Sequence, residues 1–216
     1  MIRHHPSGDL LTAYAAGRLT PGATLVVGSH IDVCDACRGE VSLLERLGGS
    51  FLADSAPASL SEGALDRVLK RLGEPAMRAP TTAPLPRALS RFDIPKRLRG
   101  LDIGARLWLA PGIWFAPIAM QPENGSCTYL IYGAPNKTLP RHTHTGQELT
   151  VVLNGAYSDD LGHFAVGDFA EADAEITHIQ TVAADAECLC LISSDGPMKF
   201  EALSARVIQS FAGRRY

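Results

Sequence analysis

The sequence predicts a two-part α + β protein, a small helical unit followed by an all-β barrel or sandwich. Three observations carry this. Up to about residue 75, short segments place apolar residues at helical spacing between capping signals. From Glu74 to about Pro95 the composition shifts to proline, alanine, threonine and arginine, including Pro75, Pro80, Pro84 and Pro86. Repeated proline removes backbone donors and blocks helix, so this stretch reads as a semi-extended linker. Beyond it, short apolar runs alternate with turn signals, the pattern of many short strands. The 216 residues are enough for two modest domains, with a helical one over 1–75, a linker over 76–95 and a β domain over 96–216.

Four helices are expected. Ser7 is placed to cap the first, which carries Leu10, Leu11, Tyr14 and Ala15 on one face and ends at Gly17. The second starts at Thr20-Pro21, with proline in its first position, and carries Leu25, Val26 and Val27 toward His30. The third runs from about Asp35, which could cap it, through Val41, Leu44 and Leu47, and the pair Gly48-Gly49 is expected to stop it. The fourth has Ser59-x-x-Glu62 as a capping box, the stripe Leu65, Val68, Leu69 and Leu72, and Gly73 as its end. Strands are expected over Leu107 to Leu109, Cys127 to Tyr132, Leu149 to Leu153 and Cys188 to Ile192, with turns at Asn154-Gly155 and Val166-Gly167-Asp168.

Composition narrows the function classes. A formal charge of −3 gives no basic face for a non-specific grip on nucleic acid. Neither a secretory signal nor an apolar run of membrane-spanning length is present, so a cytoplasmic location without membrane contact is expected. Five cysteines, two of them in Cys34-x-x-Cys37 beside a histidine, fit metal ligation in a reducing compartment better than a disulfide framework.

His30-x3-Cys34-x2-Cys37 puts an imidazole one helical turn before the first thiolate and the second thiolate a short knuckle later. A break at Cys34 would point backbone amides at the sulfurs and lower the thiol pKa values. Zinc wants a fourth ligand, and the donors at hand are His4 and His5; Pro6 holds its predecessor extended, which favours His5. Closing the set His5, His30, Cys34 and Cys37 would staple the first helix to the corner between the second and third. Structural zinc can contribute roughly 10–16 kcal/mol to a domain too small to be stable alone.

A second set lies past the middle. His142 and His144 are two apart, so on a strand both face one side. Thr145-Gly146-Gln147 can turn the chain so that Glu148 rejoins that side, and His178 arrives on a later strand. An apolar strand set has little reason to hold three imidazoles and a carboxylate inside except to ligate a cation.

On these residues the chain resembles a known family on both sides of the linker. His142-x-His144-x3-Glu148-x6-Gly155, with Gly167-Asp168 and His178, is similar to the metal signature of the cupin barrel. His30-x3-Cys34-x2-Cys37, preceded by His5-Pro6 and Leu10-Leu11-x-x-Tyr14-Ala15-x-Gly17-x-Leu19, resembles the zinc-binding anti-sigma domain. In this order the two resemble the ChrR-type anti-sigma factors over nearly the whole chain. The resemblance implies a zinc-stapled helical domain followed by a double-stranded β-helix. It also implies one-to-one binding and inhibition of a group IV (extracytoplasmic-function) sigma factor, with release when singlet oxygen or a related oxidant acts on the cupin domain. Two zinc ions per chain are implied, one at His5, His30, Cys34 and Cys37 and one at His142, His144, Glu148 and His178. No catalytic residue and no direct DNA contact are expected.

The sequence departs from the cupin pattern where Ala165 stands at a usual proline and Val182 at a frequent asparagine. Neither change touches a ligand. A competing reading is a metal-dependent, dioxygenase-like cupin enzyme with an accessory zinc module, because three His and one Glu can leave a coordination position open. Cys188 and Cys190 share a strand face and are read as core thiols that could answer an oxidant, and Glu171, Asp173 and Glu175 as a solvated strand edge.

Overall fold

The computed structural model describes residues 1–72, 85–120, 126–196 and 198–200. Four helices come first: α1 (Gly8–Ala15), α2 (Pro21–Ile31), α3 (Asp35–Ala53) and α4 (Ala64–Leu72). Single 3-10 turns at Arg87–Leu89 and Lys96–Leu98 lead, among the described residues, into eleven strands. These are β1 (Leu107–Ala110), β2 (Ile113–Pro117), β3 (Cys127–Gly133), β4 (Thr138–Thr143), β5 (Glu148–Asn154), β6 (Ala156–Asp159), β7 (Gly162–Ala165), β8 (Phe169–Ala172), β9 (Thr177–Val182), β10 (Cys188–Ser194) and β11 (Lys199–Phe200).

Local chemistry explains most helix ends. Ser7 accepts the Leu10 N–H at the start of α1, and Gly17, in the left-handed region, follows its end. Thr20 accepts from Ala23 at the start of α2, with Pro21 in the first turn. Three expectations fail. Gly48 and Gly49 do not stop α3, which continues to Ala53; neither adopts the positive φ that ends a helix, so each costs propensity without breaking the ladder. Ser59 does not cap α4 either: Gly63 turns the chain at φ 69° and the helix begins at Ala64, too far downstream for a box at Ser59 and Glu62. Cys34, rather than Asp35, occupies the N-cap position of α3. Gly73, the expected end of α4, lies outside the described residues, as does the expected linker as far as Pro84. From 85 to 95 the chain is packed: Leu89, Phe92 and Ile94 are buried in the main core.

The strands form two sheets, a six-stranded one in the order β1-β2-β3-β10-β5-β8 and a five-stranded one in the order β11-β4-β9-β6-β7. They face each other across a core of Val152, Tyr157, Phe164, Cys188, Cys190 and Ile192. The alternate residues of the same strands, Val151, Leu189 and Leu191, belong to a different cluster that also contains Leu25, Val26 and Val27 of α2. The six-stranded sheet is therefore covered on its outer face, which is why every residue of β10 is buried and its sequence runs continuously apolar from Cys188 to Ile192. Helix α2 touches β5 and β10 on one side and α1 and α3 on the other, and it is buried on nearly every face.

Close approach between α2 and the sheet is made possible by Gly22, where an added Cβ would collide with the hydroxyls of Thr128 and Ser193. Gly22→Ala is expected to destabilise the protein by about 1–3 kcal/mol through overpacking, at about 2–4 °C in melting temperature per kcal/mol. Gly39→Ala in α3, where nothing lies within 4 Å of the added methyl, should leave stability equal or higher. Thermal unfolding followed by circular dichroism compares the two.

Candidate metal centres

Helix α2 ends at Ile31, and the chain re-enters helix at Asp35 after a turn in which the Cys34 N–H donates to the His30 carbonyl. That short reversal puts Cys34 and Cys37 beside the last turn of α2. The N-terminal segment then passes across them. One nitrogen each from His5 and His30 and one sulfur each from Cys34 and Cys37 lie within 4.8 Å of one another. His5 Nδ1 is 3.4 Å from both sulfurs, and His30 Nε2 is 3.3 Å from Cys37 Sγ. His4 points elsewhere, with its ring on Phe164 at 4.4 Å between centroids.

Tetrahedral zinc with bonds of about 2.3 Å to sulfur and about 2.0–2.1 Å to nitrogen separates its ligands by about 3.3–3.8 Å. Two sulfurs and two nitrogens at the observed spacing fit that ion. Contrary to the lowering expected from the sequence, burial, followed by the neighbouring Cys34, pushes the Cys37 thiol up to about 12; a bound zinc would hold it as thiolate. His30 is lowered from its usual value by burial and is neutral; its Nδ1–H donates to the Gly167 carbonyl at 2.7 Å, which leaves Nε2 as the lone-pair donor.

The second set is built by sheet register. His142 on β4 stands opposite His178 on β9, His144 follows the end of β4, and Glu148 opens β5 in the other sheet. All four side chains are buried. The three imidazoles converge: His178 Nε2 is 3.1 Å from His142 Nε2 and 3.3 Å from His144 Nε2. Burial first, then the neighbouring imidazoles, pushes His142 and His144 down to about 4. Unprotonated nitrogens this close repel one another unless a cation lies among them, and metal–nitrogen bonds of about 2.0–2.1 Å give this spacing.

Glu148 stands beside that trio rather than inside its 4.8 Å cluster. Its Oε2 is 3.3 Å from His144 Nδ1, without the alignment of a hydrogen bond, and accepts from the Tyr129 hydroxyl at 3.3 Å. Burial pushes its carboxyl up to about 7.

Residues absent from the sequence reading hold the ligands. His142 Nδ1 faces the Pro140 carbonyl at 2.8 Å, and His178 Nδ1 faces Asp159 Oδ2 at 3.0 Å. Each contact leaves Nε2 free for a metal. Asp159 also accepts from Leu161 and Gly162, and in sequence it reads only as a hairpin residue. Glu171, expected to be solvated, instead accepts from the Ser7 N–H at 2.6 Å. Asp168 is pulled up by burial, but the amides of Ala165, Arg3 and His4 outweigh that and hold its carboxyl below the usual range. Cys188 and Cys190 place their sulfurs 3.6 Å apart in the barrel core.

Comparison with known proteins follows the same division. A family of ChrR cupin-like domains matches residues 102–198, and a family described as a putative zinc-finger matches residues 8–38. The chain is 36% identical over 219 residues to the anti-sigma-E factor ChrR of Cereibacter sphaeroides, covering 97% of this chain and 98% of that one. It is also similar to the crystal structure of Rhodobacter sphaeroides SigE in complex with the anti-sigma ChrR, with a TM-score of 0.73 and 35% identity over 90% of this chain and all of that one.

Asp159→Ala is expected to free the His178 ring and weaken metal binding in the barrel about 10–100-fold, with far-UV circular dichroism unchanged. Competition titration against a chromophoric zinc chelator measures it, and wild-type affinity would rule out support by this carboxylate.

Proposed function

This chain belongs to the ChrR family of anti-sigma factors, and from that premise we propose that its helical module, over residues 1–75, captures a group IV sigma factor in a one-to-one complex. The family is regulatory rather than enzymatic, and its relatives include a ChrR whose structure holds SigE. The observation that carries the proposal is α4: Leu65, Val68, Leu69 and Leu72 form its apolar stripe, all are exposed, and no residue of the helix is buried. A nine-residue helix gains little from its own hydrogen bonds. Leu43, Leu47, Phe51 and Leu52 on α3 are exposed as well. Apolar surface of this extent on a small module calls for a partner.

The two metal sets divide the work. Zinc at His5, His30, Cys34 and Cys37 acts as a staple that holds the N-terminal segment and the α2–α3 corner in place; the zinc-finger match and the four converging donors support this. A second zinc at His142, His144 and His178, with Glu148 beside them, makes the barrel over residues 96–216 a sensor. A bound divalent ion there would neutralise the buried carboxylate and order the histidines. The signal proposed is oxidative, singlet oxygen among its sources, and its arrival at the barrel weakens the grip on the sigma factor. No described helix is long and apolar enough to cross a membrane.

Two experiments test this reading. Leu65→Ala/Leu69→Ala should weaken sigma binding at least about 100-fold, since burying each leucine is worth about 1.5–3 kcal/mol; unchanged affinity in titration calorimetry would remove α4 from the interface. In sigma pulldown, Cys34→Ser/Cys37→Ser should abolish binding, whereas His142→Ala/His144→Ala should keep binding and lose release under photosensitised oxidation. A barrel variant that no longer binds sigma would refute the division between staple and sensor.

A further inference from the structure

We propose that the β7–β8 turn of the barrel is part of the helical module's zinc site, with Asp168 as the residue that positions its nitrogen ligands and makes zinc retention answer to the barrel. The inference deepens the reading of His5, His30, Cys34 and Cys37 as a zinc site and rests on it, not on sigma binding.

The two sulfurs come from one short stretch at the start of α3. Both nitrogens are held from the barrel. On one side of His5, Asp168 Oδ1 accepts the Arg3 N–H at 2.6 Å and the His4 N–H at 3.0 Å, and the Phe169 N–H donates to the His4 carbonyl at 3.1 Å. On the other side, Glu171 accepts the Ser7 N–H at 2.6 Å and the Ser7 hydroxyl at 3.2 Å. His5 thus spans two anchors that both belong to β8 and the turn before it. The Ile2 side chain lies so near Gly167 that a Cβ there would come within 2.9 Å of it. His30 is aimed by the same turn, through the Gly167 carbonyl and the ring of Phe169, whose centroid is 5.6 Å away at 74°.

The turn is in turn fastened to the strand that carries Glu148. The Gly167 N–H donates to the Val152 carbonyl at 2.9 Å, and the Val152 N–H donates to the Asp168 carbonyl at 3.1 Å. Ala172, at the far end of β8, is paired directly with Glu148. One hydrogen-bonded ribbon therefore runs from the barrel's buried carboxylate to the imidazoles of the other site. Displacement of β5 relative to β8 moves the acceptors of Arg3, His4 and His30 together, while Cys34 and Cys37 stay on α3. Loss of outer hydrogen bonds to metal ligands commonly costs 10–100-fold in affinity, so this ribbon has leverage on zinc without touching it.

The test uses the full chain loaded with cobalt(II). Two thiolates on cobalt give a charge-transfer band in the near ultraviolet that the His and Glu donors of the barrel do not produce, so its decay under excess EDTA times metal loss from the helical module alone. Asp168→Ala is expected to speed that decay about 10–100-fold. Asp168→Asn should speed it less, because its amide oxygen still accepts from Arg3 and His4. Glu171→Ala, which removes only the Ser7 anchor, should speed it severalfold and decides the matter if Asp168→Ala does not fold. A wild-type decay in folded Asp168→Ala, or in Glu171→Ala where that variant must decide, overturns the proposal. So does equal acceleration of cobalt loss from the barrel, read from its visible bands, because that would mark general loosening. A wild-type chain that never develops the charge-transfer band would instead sink the zinc-site reading itself.

Discussion

The placement of α2 is the constraint on which the rest depends. It is sandwiched between the outer face of the six-stranded sheet and the helices α1 and α3, and Val26 and Val27 are wholly buried. Covering that sheet face removes Val151, Leu189 and Leu191 from water, at about 25 cal/mol for each Å² of apolar surface. The helical module and the barrel therefore share a core. Arg97, just before the barrel, reinforces it by donating Nε–H and Nη2–H to the two carboxylate oxygens of Asp32 at the end of α2. What the sequence presents as a domain with a tail of proline on one side is, in three dimensions, a helix pressed onto its neighbour's sheet.

This packing brings the two metal sets into one framework, although they are built by different rules. The thiolate set is a local construction: a helix end, a short reversal and an N-cap place His30, Cys34 and Cys37 within eight residues. The histidine set is a product of strand pairing, with His142 opposite His178 across two antiparallel strands. Once α2 lies on the sheet, the last turn of α2 meets the β7–β8 turn, and His30 finds its hydrogen-bond acceptor 137 residues away in sequence. Among the described residues the same docking leaves the apolar side chains of α4 and of the second half of α3 exposed. One packing event thus joins the two donor sets and leaves that apolar face uncovered among the described residues.

Much of this was legible in the sequence because it rests on short-range physics. Helix starts at Ser7 and Thr20 follow from side-chain oxygens that satisfy first-turn amides. The strands around Cys127, Leu149 and Cys188 follow from apolar runs between turns. The histidines and cysteines that converge were visible as candidates because His and Cys at those spacings are rarely assembled without a purpose, and Pro6 favoured His5 through its own backbone restriction; Glu148, expected among the ligands, stands beside the trio instead. Where short-range rules compete, they misled: a glycine pair is a helix stop only if the chain turns left-handed there, and Gly48 and Gly49 do not. Glu171 looked like solvated charge because nothing in sequence places it against the Ser7 amide.

The sequence by itself determined most of the elements, the spacing of His30, Cys34 and Cys37, the candidate pair His142 and His144, and the family resemblance, since these rest on patterns along the chain itself. Tertiary structure alone decided that the modules share one core, that Asp159 and Tyr129 brace the barrel donors, and that Gly167, Asp168 and Glu171 hold the histidine side of the other site. The reason is separation along the chain: these contacts join residues 19 to 165 positions apart, and no local propensity specifies which of many buried faces will meet. Hydrophobic burial of α2 selects the docking, and hydrogen bonding then sets its register.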